Sequence, residues 1–241
     1  LSGRDITADQ FGAYNIRIRK LFEAIYTGYD GNRDCSEFQN VVVYLKRMWF
    51  SNGIYHHYGC EKFVPDFSSD YLRMVIDHTD KSLIPLKDNE TIDCFCDEIF
   101  PVIFDPSVLP KRVNKADKQD LVTTSACNYY ENLTQEEVEK FYNDMKDGAD
   151  ESMPSYGLNS KLVKRDGSIV ECKWTETGMY GPAISHIIYW LEKARDEAEN
   201  EQQKKIISIL MEYYRTGDLR TFDSFSIEWL KETEGRVDFI N

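Results

Sequence analysis

The chain has 241 residues, and its 29 basic and 42 acidic residues give a formal net charge of −13. Hydrophobic residues make up 41% of the chain, which is enough for a packed core and excludes global disorder. The negative field disfavours nucleic acid and anionic membrane surfaces as partners, and no apolar run approaches the roughly 20 residues that a membrane helix requires.

Helical periodicity dominates the first part of the chain. Apolar residues recur at helical spacing from Phe11 to Ile25, and Gly28 is expected to end this helix. Ser36 is expected to cap a second helix, and the Asn52-Gly53 pair to end it.

Two shorter helices are predicted next. One starts at Ser68 or Ser69, and the other covers residues 92–100 and ends at Pro101. Proline lacks an amide N–H and clashes with the preceding helical turn, and prolines occur at 101, 106 and 110. We therefore predict an extended loop or edge strand over residues 101–113, and we place an internal boundary there.

Local signals continue in the second half. Thr134 and Glu137 form the pattern of a capping box, which predicts a helix after Thr134. Residues 158–163 and 168–174 favour strands, and the Asp166-Gly167 pair between them is typical of a hairpin turn.

Three helices are predicted to complete the chain. Pro182 marks the start of a long one, and two more follow on either side of a stop at Gly217 and a cap at Asp218. The sequence therefore predicts an α+β fold that is rich in helix and has a small antiparallel β component.

The six cysteines show no C-x-x-C spacing, so a thiolate metal site is not indicated. We predict ordinary buried thiols, which a reducing compartment suits better than an oxidising one. A cytoplasmic location is the corresponding expectation.

Common catalytic motifs are absent from the sequence. It contains no glycine-rich phosphate loop, no G-x-S-x-G nucleophile elbow and no H-E-x-x-H zinc helix. His56 and His57 are adjacent, but neighbouring side chains point in different directions in a helix or a strand. A structural role is therefore favoured over a shared metal site.

Six strings of the sequence resemble the dipeptidyl peptidase III family, most closely its Bacteroides-like bacterial branch. They occur in a consistent order and involve most of the chain: RMWFSNGIYHHYG at 47–59, EKFVP at 61–65, PVIFDP at 101–106, SYGLNS at 155–160, YWLEKA at 189–194 and RVDFIN at 236–241.

This resemblance implies a two-lobed zinc exopeptidase that removes dipeptides from the N-termini of short peptides. In that family zinc is held by a His-Glu-x-x-Gly-His helix and a later Glu, and neither string is present here. The chain, which starts at Leu1 rather than Met and stops at Asn241, is expected to be part of the lower lobe. It would then hold no catalytic or metal-binding residue, bind no zinc and be inactive alone.

The resemblance also implies where this chain would contact substrate. The family's Gly-Phe-Ile-Glu-x-Tyr string, which holds the free amino end of the peptide, would begin just after Asn241. The segment before the Lys-Phe-Val-Pro string lines the peptide cleft in the family, which makes His57 and Tyr58 the candidate substrate-binding residues.

The expected partners are short peptides and the zinc-binding lobe of the same protein, with a dimer through exposed apolar surface as a further expectation. The alternative is a non-enzymatic helical module that binds a protein partner through the aromatic segment from Trp49 to Tyr58.

Overall fold

A computed structural model of the chain describes residues 14–146, 148 and 153–237. The chain divides into two compact units, residues 2–128 and residues 129–241. The division lies downstream of the 101–113 stretch at which the sequence suggested a boundary.

The first unit is helical in its described part. Its elements are α1 (Asn15–Gly28), α2 (Ser36–Ser51), α3 (Ser69–Asp77), a short 3-10 helix (Lys81–Leu83) and α4 (Ile92–Phe104). The apolar stripes of the four α-helices meet in one core, and its largest fully buried side chains include Phe22, Tyr44, Tyr55 and Phe95. The helical periodicity of the sequence is confirmed for this unit, although residues 11–13 of the first prediction lie outside the described range.

The cap of α2 differs from the prediction. Ser36 is the first helical residue, and Cys35 holds the cap position without a side-chain hydrogen bond. The end of α2 is as predicted, because Asn52 adopts the left-handed conformation that closes a helix, with φ of 56°. Ser68 caps α3 by accepting from the Tyr71 amide, as the sequence indicated.

The prediction that proline ends the fourth helix at residue 100 is wrong. Helix α4 continues to Phe104, and the Asp105 amide still donates to the Pro101 carbonyl at 3.0 Å. Val102 and Ile103 are 3% and 1% exposed in the core, and burying such side chains contributes about 1.5–3 kcal/mol each. Together these two burials match or exceed the cost of a proline inside a helix, which is about 3 kcal/mol for the lost hydrogen bond and the clash with the preceding turn.

The second unit combines a small sheet with four helices in its described part. Its elements are β1 (Tyr130–Glu131), α5 (Gln135–Asp144), β2 (Ser160–Arg165), β3 (Ser168–Lys173), α6 (Gly181–Asp196), α7 (Glu201–Thr216) and α8 (Leu219–Lys231). The sheet order is β1-β2-β3, and the antiparallel β2–β3 register runs from Ser160 opposite Lys173 to Arg165 opposite Ser168.

The predicted antiparallel pair is confirmed as β2–β3, and a short third strand makes the sheet mixed. Strand β1 pairs parallel with β2, placing Tyr130 opposite Leu162 and Glu131 opposite Val163. A two-residue strand is too short to carry an alternating pattern, so β1 has no signal in the sequence. The α+β fold class itself is confirmed.

Local turn chemistry explains the rest of this unit. Asp166 and Gly167 have φ of 50° and 79°, the two positive values of a type I′ hairpin turn. The Thr134–Glu137 capping box forms as predicted, and Gly217 and Asp218 end α7 and cap α8. Helix α6 packs on α7 and α7 packs on α8, around cores that include Ile188, Ile207, Leu210 and Phe225.

Within the described ranges, no helix is long and apolar enough to cross a membrane. All six cysteines are free. Only Cys96 is buried, whereas Cys94 is exposed and the other four are half-buried, so the prediction of uniformly buried thiols is wrong.

Candidate functional site

The candidate site lies in the first unit, in the segment that follows α2. Gly53 has φ of +146°, and a Cβ at this position would lie 2.5 Å from Asn15 Nδ2. Buried Asn15 in turn accepts from the Ile54 amide at 3.3 Å. This close approach requires glycine and directs the chain from the end of α2 into the loop that carries the two histidines.

Residues 55–63 form a tight loop that follows the turn at Gly53. The His56 amide donates to the Glu61 carbonyl at 2.8 Å, the Cys60 amide to the His56 carbonyl at 3.0 Å and the Phe63 amide to the Ile54 carbonyl at 2.8 Å. Tyr55 is 1% exposed, and its hydroxyl donates to the Leu109 carbonyl at 2.9 Å. Burial also raises the pKa of Tyr55. These contacts hold the base of the loop in place, and the tip, residues 57–59, projects from it.

Lys62 fixes the other side of the loop. Its ammonium donates to the carbonyl oxygens of Val102, Asp105 and Val108 at 2.8, 2.6 and 2.6 Å, so all three of its protons are used at the end of α4. Burial lowers the pKa of Lys62, and the charge of Asp105 opposes that shift. Lys62 is thus a structural residue, which the sequence alone did not single out.

Backbone contacts fix the ring of His56. Its Nδ1 accepts from the amides of Tyr58 and Gly59 at 3.3 and 3.0 Å. The neutral imidazole must then carry its proton on Nε2, which makes that atom a donor.

His57 is half-buried among aromatic rings. Its ring lies edge-on to Phe50 with centroids 4.9 Å apart and contacts Tyr58 at 4.3 Å. Its Nδ1 lies 3.4 Å from the Ser51 hydroxyl, and its carbonyl accepts from Arg112 at 3.3 Å. These contacts hold the His57 ring at the surface without closing it off from solvent.

A pocket of about 430 Å³ opens beside this loop. Eight residues line it: Val43, Lys46, Arg47, Phe50, Ser51, His56, His57 and Phe63. Of the two candidates from the sequence, His57 lines this pocket, whereas Tyr58 does not and projects beside it with 86% of its surface exposed.

Sequence reasoning missed the contribution of α2 to the pocket. Val43, Lys46, Arg47 and Phe50 follow the i, i+3, i+4, i+7 spacing of one helical face, opposite the buried stripe. The helical periodicity of α2 indicates its buried stripe, and Lys46 and Arg47 lie outside that stripe. A search for a second, mixed apolar and basic face on α2 would have found them.

The family of the chain follows from its similarity to a known family of proteins. A profile of peptidase family M49 matches residues 111–240, more than half of the sequence. The chain belongs to peptidase family M49. The resemblance to the dipeptidyl peptidase III family is therefore confirmed, and the peptidase character follows at the level of the family. Curated individual proteins gave no match.

The described residues of this M49 chain do not fit the zinc ion that the family resemblance implies. Within residues 14–146, 148 and 153–237, no group of three or more His, Cys, Asp and Glu side chains could hold a metal ion. At the two adjacent histidines, the Nδ1 lone pair of His56 is already engaged by two backbone amides. Zinc needs three or four such ligands, so the pocket is not a metal site.

Proposed function

We propose that this M49 chain supplies a peptide-binding surface of a zinc-dependent peptidase that releases dipeptides from the N-termini of short peptides. The observation that carries the proposal is the pocket beside the 55–63 loop, which combines apolar rings with a few polar donors. Such a lining is typical of sites that bind small organic ligands and peptides. The described residues would bind and orient the peptide, and bond cleavage would belong to the zinc-binding lobe.

His57 and Tyr58 are the proposed contact residues. The His57 ring lines the pocket, and the Tyr58 ring continues the same aromatic surface at a centroid distance of 4.3 Å. Flat rings with one polar atom contact many peptide sequences without demanding a particular side chain, which suits an exopeptidase of broad specificity.

The experiment is titration of the ¹⁵N-labelled chain with the tetrapeptide Ala-Ala-Ala-Phe, followed by NMR. Amide shifts concentrated in residues 43–63 are expected, with weaker binding in His57→Ala and Tyr58→Ala. His78→Ala and Tyr26→Ala are matched controls, because both side chains are exposed in the same unit and lie outside the pocket. Unchanged spectra of the parent chain at millimolar peptide would refute the proposal.

The zinc content and the peptidase activity of the chain test the proposal independently of binding. We expect the 241-residue chain to retain no stoichiometric zinc after dialysis and to release no dipeptide from Ala-Ala-Ala-Phe. Elemental analysis that finds one tightly bound zinc per chain would contradict this division of roles between binding and cleavage.

We propose short peptides and a zinc-binding lobe as partners, and we propose the cytoplasm because the six cysteines are free, as a reducing compartment would keep them.

A second candidate function is a module that binds a protein partner or dimerises through this surface. It is favoured by three exposed apolar side chains, Phe50, Tyr58 and Val64, whose exposed fractions are 78%, 86% and 72%. Sedimentation velocity tests the dimer, which Phe50→Ser should dissociate. A monomer at every concentration would exclude it.

A further inference from the structure

The pocket beside the 55–63 loop has the opposite charge to the chain as a whole. Acidic residues outnumber basic ones by 42 to 29 in the sequence, yet the pocket lining contains Lys46, Arg47 and two histidines and no carboxylate. Arg47 pairs with a carboxylate outside the lining, since Asp66 Oδ2 lies 3.5 Å from Arg47 Nη1. The lining therefore offers positive charge and hydrogen-bond donors locally.

Several of these donors are available to a ligand. Lys46 is exposed and forms no ion pair or side-chain hydrogen bond with any described residue. Arg47 has five N–H groups, and its contact with Asp66 is exposed and long. His56 is a donor through Nε2, because two backbone amides occupy its Nδ1.

The apolar part of the lining indicates which group a ligand carries beside its anionic group. Val43, Phe50 and Phe63 form an apolar surface beside the basic groups, and the Phe50 ring packs against His57. A ligand that fits carries one anionic group next to an apolar side chain. A polyanion such as nucleic acid is excluded by the net charge of −13, which repels extended phosphate chains.

We infer that this pocket binds a carboxylate of the peptide, with Lys46 and Arg47 as the residues that determine this specificity. The inference rests on the proposed peptide-binding function and adds a substrate class to it. A carboxylate in this position is held by charge-assisted hydrogen bonds, which are shorter and stronger than neutral ones. The carboxylate has two chemical sources, the C-terminus of a short peptide and an Asp or Glu side chain.

The test compares three peptides on the complete 241-residue chain by isothermal titration calorimetry at low salt. The first is Ala-Ala-Ala-Phe with a free C-terminus, the second is its C-terminal amide, and the third is the amide Ala-Ala-Glu-Phe. Stronger binding of the first identifies the terminal carboxylate, and stronger binding of the third identifies an acidic side chain. Either result over the neutral amide supports the inference.

Variants connect the effect to the pocket. Lys46→Gln is expected to weaken binding of the preferred anionic peptide about fivefold, the scale of one exposed charge pair, and to leave the neutral amide unchanged. Arg47→Gln should act in the same direction. Lys20→Gln is the matched control, since Lys20 is also exposed on a helix and forms no ion pair with the described residues.

The outcomes separate the two proposals. Equal affinity for all three peptides, with Lys46→Gln without effect and His57→Ala still harmful, would overturn the carboxylate inference and leave the peptide-binding function in place. Absence of binding by all three peptides would overturn both.

Discussion

The candidate site of the first unit and the β2–β3 and α7–α8 pairings of the second unit differ in how far apart in sequence their contacting residues lie. In the first unit, the loop at 55–63 is fixed by residues from the following 101–112 segment: Tyr55 donates to Leu109, Lys62 to Val108 and Arg112 to His57. The pocket exists because these distant segments meet.

Two pairings of the second unit depend on neighbours in sequence. Strands β2 and β3 are joined by a two-residue turn, and α7 and α8 by the Gly217-Asp218 pair. Each of these pairings has its own local signal in the residues between the elements. Local patterns therefore determine these two pairings of the second unit, whereas the candidate site of the first unit, like the parallel β1–β2 pairing, depends on contacts between distant residues that no local pattern encodes.

The largest expected effect comes from the long-range contacts of Lys62. Lys62→Met removes the ammonium donor from the carbonyls of Val102, Asp105 and Val108, and the Asp105 carbonyl keeps the Val108 amide at 3.3 Å. We expect a loss of about 3 kcal/mol in the free energy of unfolding. Urea denaturation measures it. Lys115→Met, at an exposed lysine of the same unit, should cost less than about 0.5 kcal/mol. Equal losses in the two variants would show that the long-range contacts of Lys62 do not stabilise the first unit.

A glycine pair compares the two units directly. Gly53→Ala places a methyl group 2.5 Å from Asn15 at a φ of +146°, and we expect a loss of about 2 kcal/mol together with altered amide shifts throughout residues 54–63. Gly167→Ala also has a positive φ, +79°, but its Cβ would meet nothing within 4 Å, so we expect only about 1 kcal/mol. Thermal unfolding and NMR of both variants test this order, and a larger loss for Gly167→Ala would reverse it.

A local contact of the second unit should have a smaller effect that remains local. In Thr134→Ala the Glu137 amide loses its cap, and we expect a loss of about 1 kcal/mol confined to α5. Hydrogen exchange should show faster exchange in the first turn of α5 and no change in the β2–β3 hairpin. Thr177→Ala, at an exposed threonine of the same unit, is the control. Faster exchange throughout the unit would contradict the local character of this contact.

The same distinction explains what the sequence could predict. The capping box at Thr134, the turn at Asp166-Gly167 and the stop at Gly217 each require a particular backbone conformation from adjacent residues, and all three form. Helix α4 shows the limit, because the burial of Val102 and Ile103 in a core built by other helices carried it past Pro101. Tertiary burial overrode a correct local rule.

The candidate site was predictable only in part. Family resemblance selected His57 and Tyr58, and the structure places His57 in a pocket lining and leaves Tyr58 beside it. The basic residues of α2 lie beside His57 because the turn at Gly53 directs the loop back over the end of the helix. That turn depends on its contact with Asn15, which is far away in sequence. Periodicity could reveal the second face of α2 but not what it faces.

The smallest expected effect is a pH dependence in the second unit. Glu228 on α8 accepts from Lys205 and Lys231 at 2.7 Å each and from Gln202 at 3.0 Å, and these hydrogen bonds lower its pKa to about 2 from an ordinary 4.5. A carboxyl whose pKa is lower in the folded state stabilises the fold fully above pH 4.5 and loses that contribution as the pH falls toward 2. We therefore expect Glu228→Gln to flatten the acid side of the stability profile, measured by urea denaturation between pH 2 and 6. Glu212→Gln, on the exposed face of α7, should leave the profile unchanged, and an equal flattening by both variants would show that the α7–α8 contact is not its source.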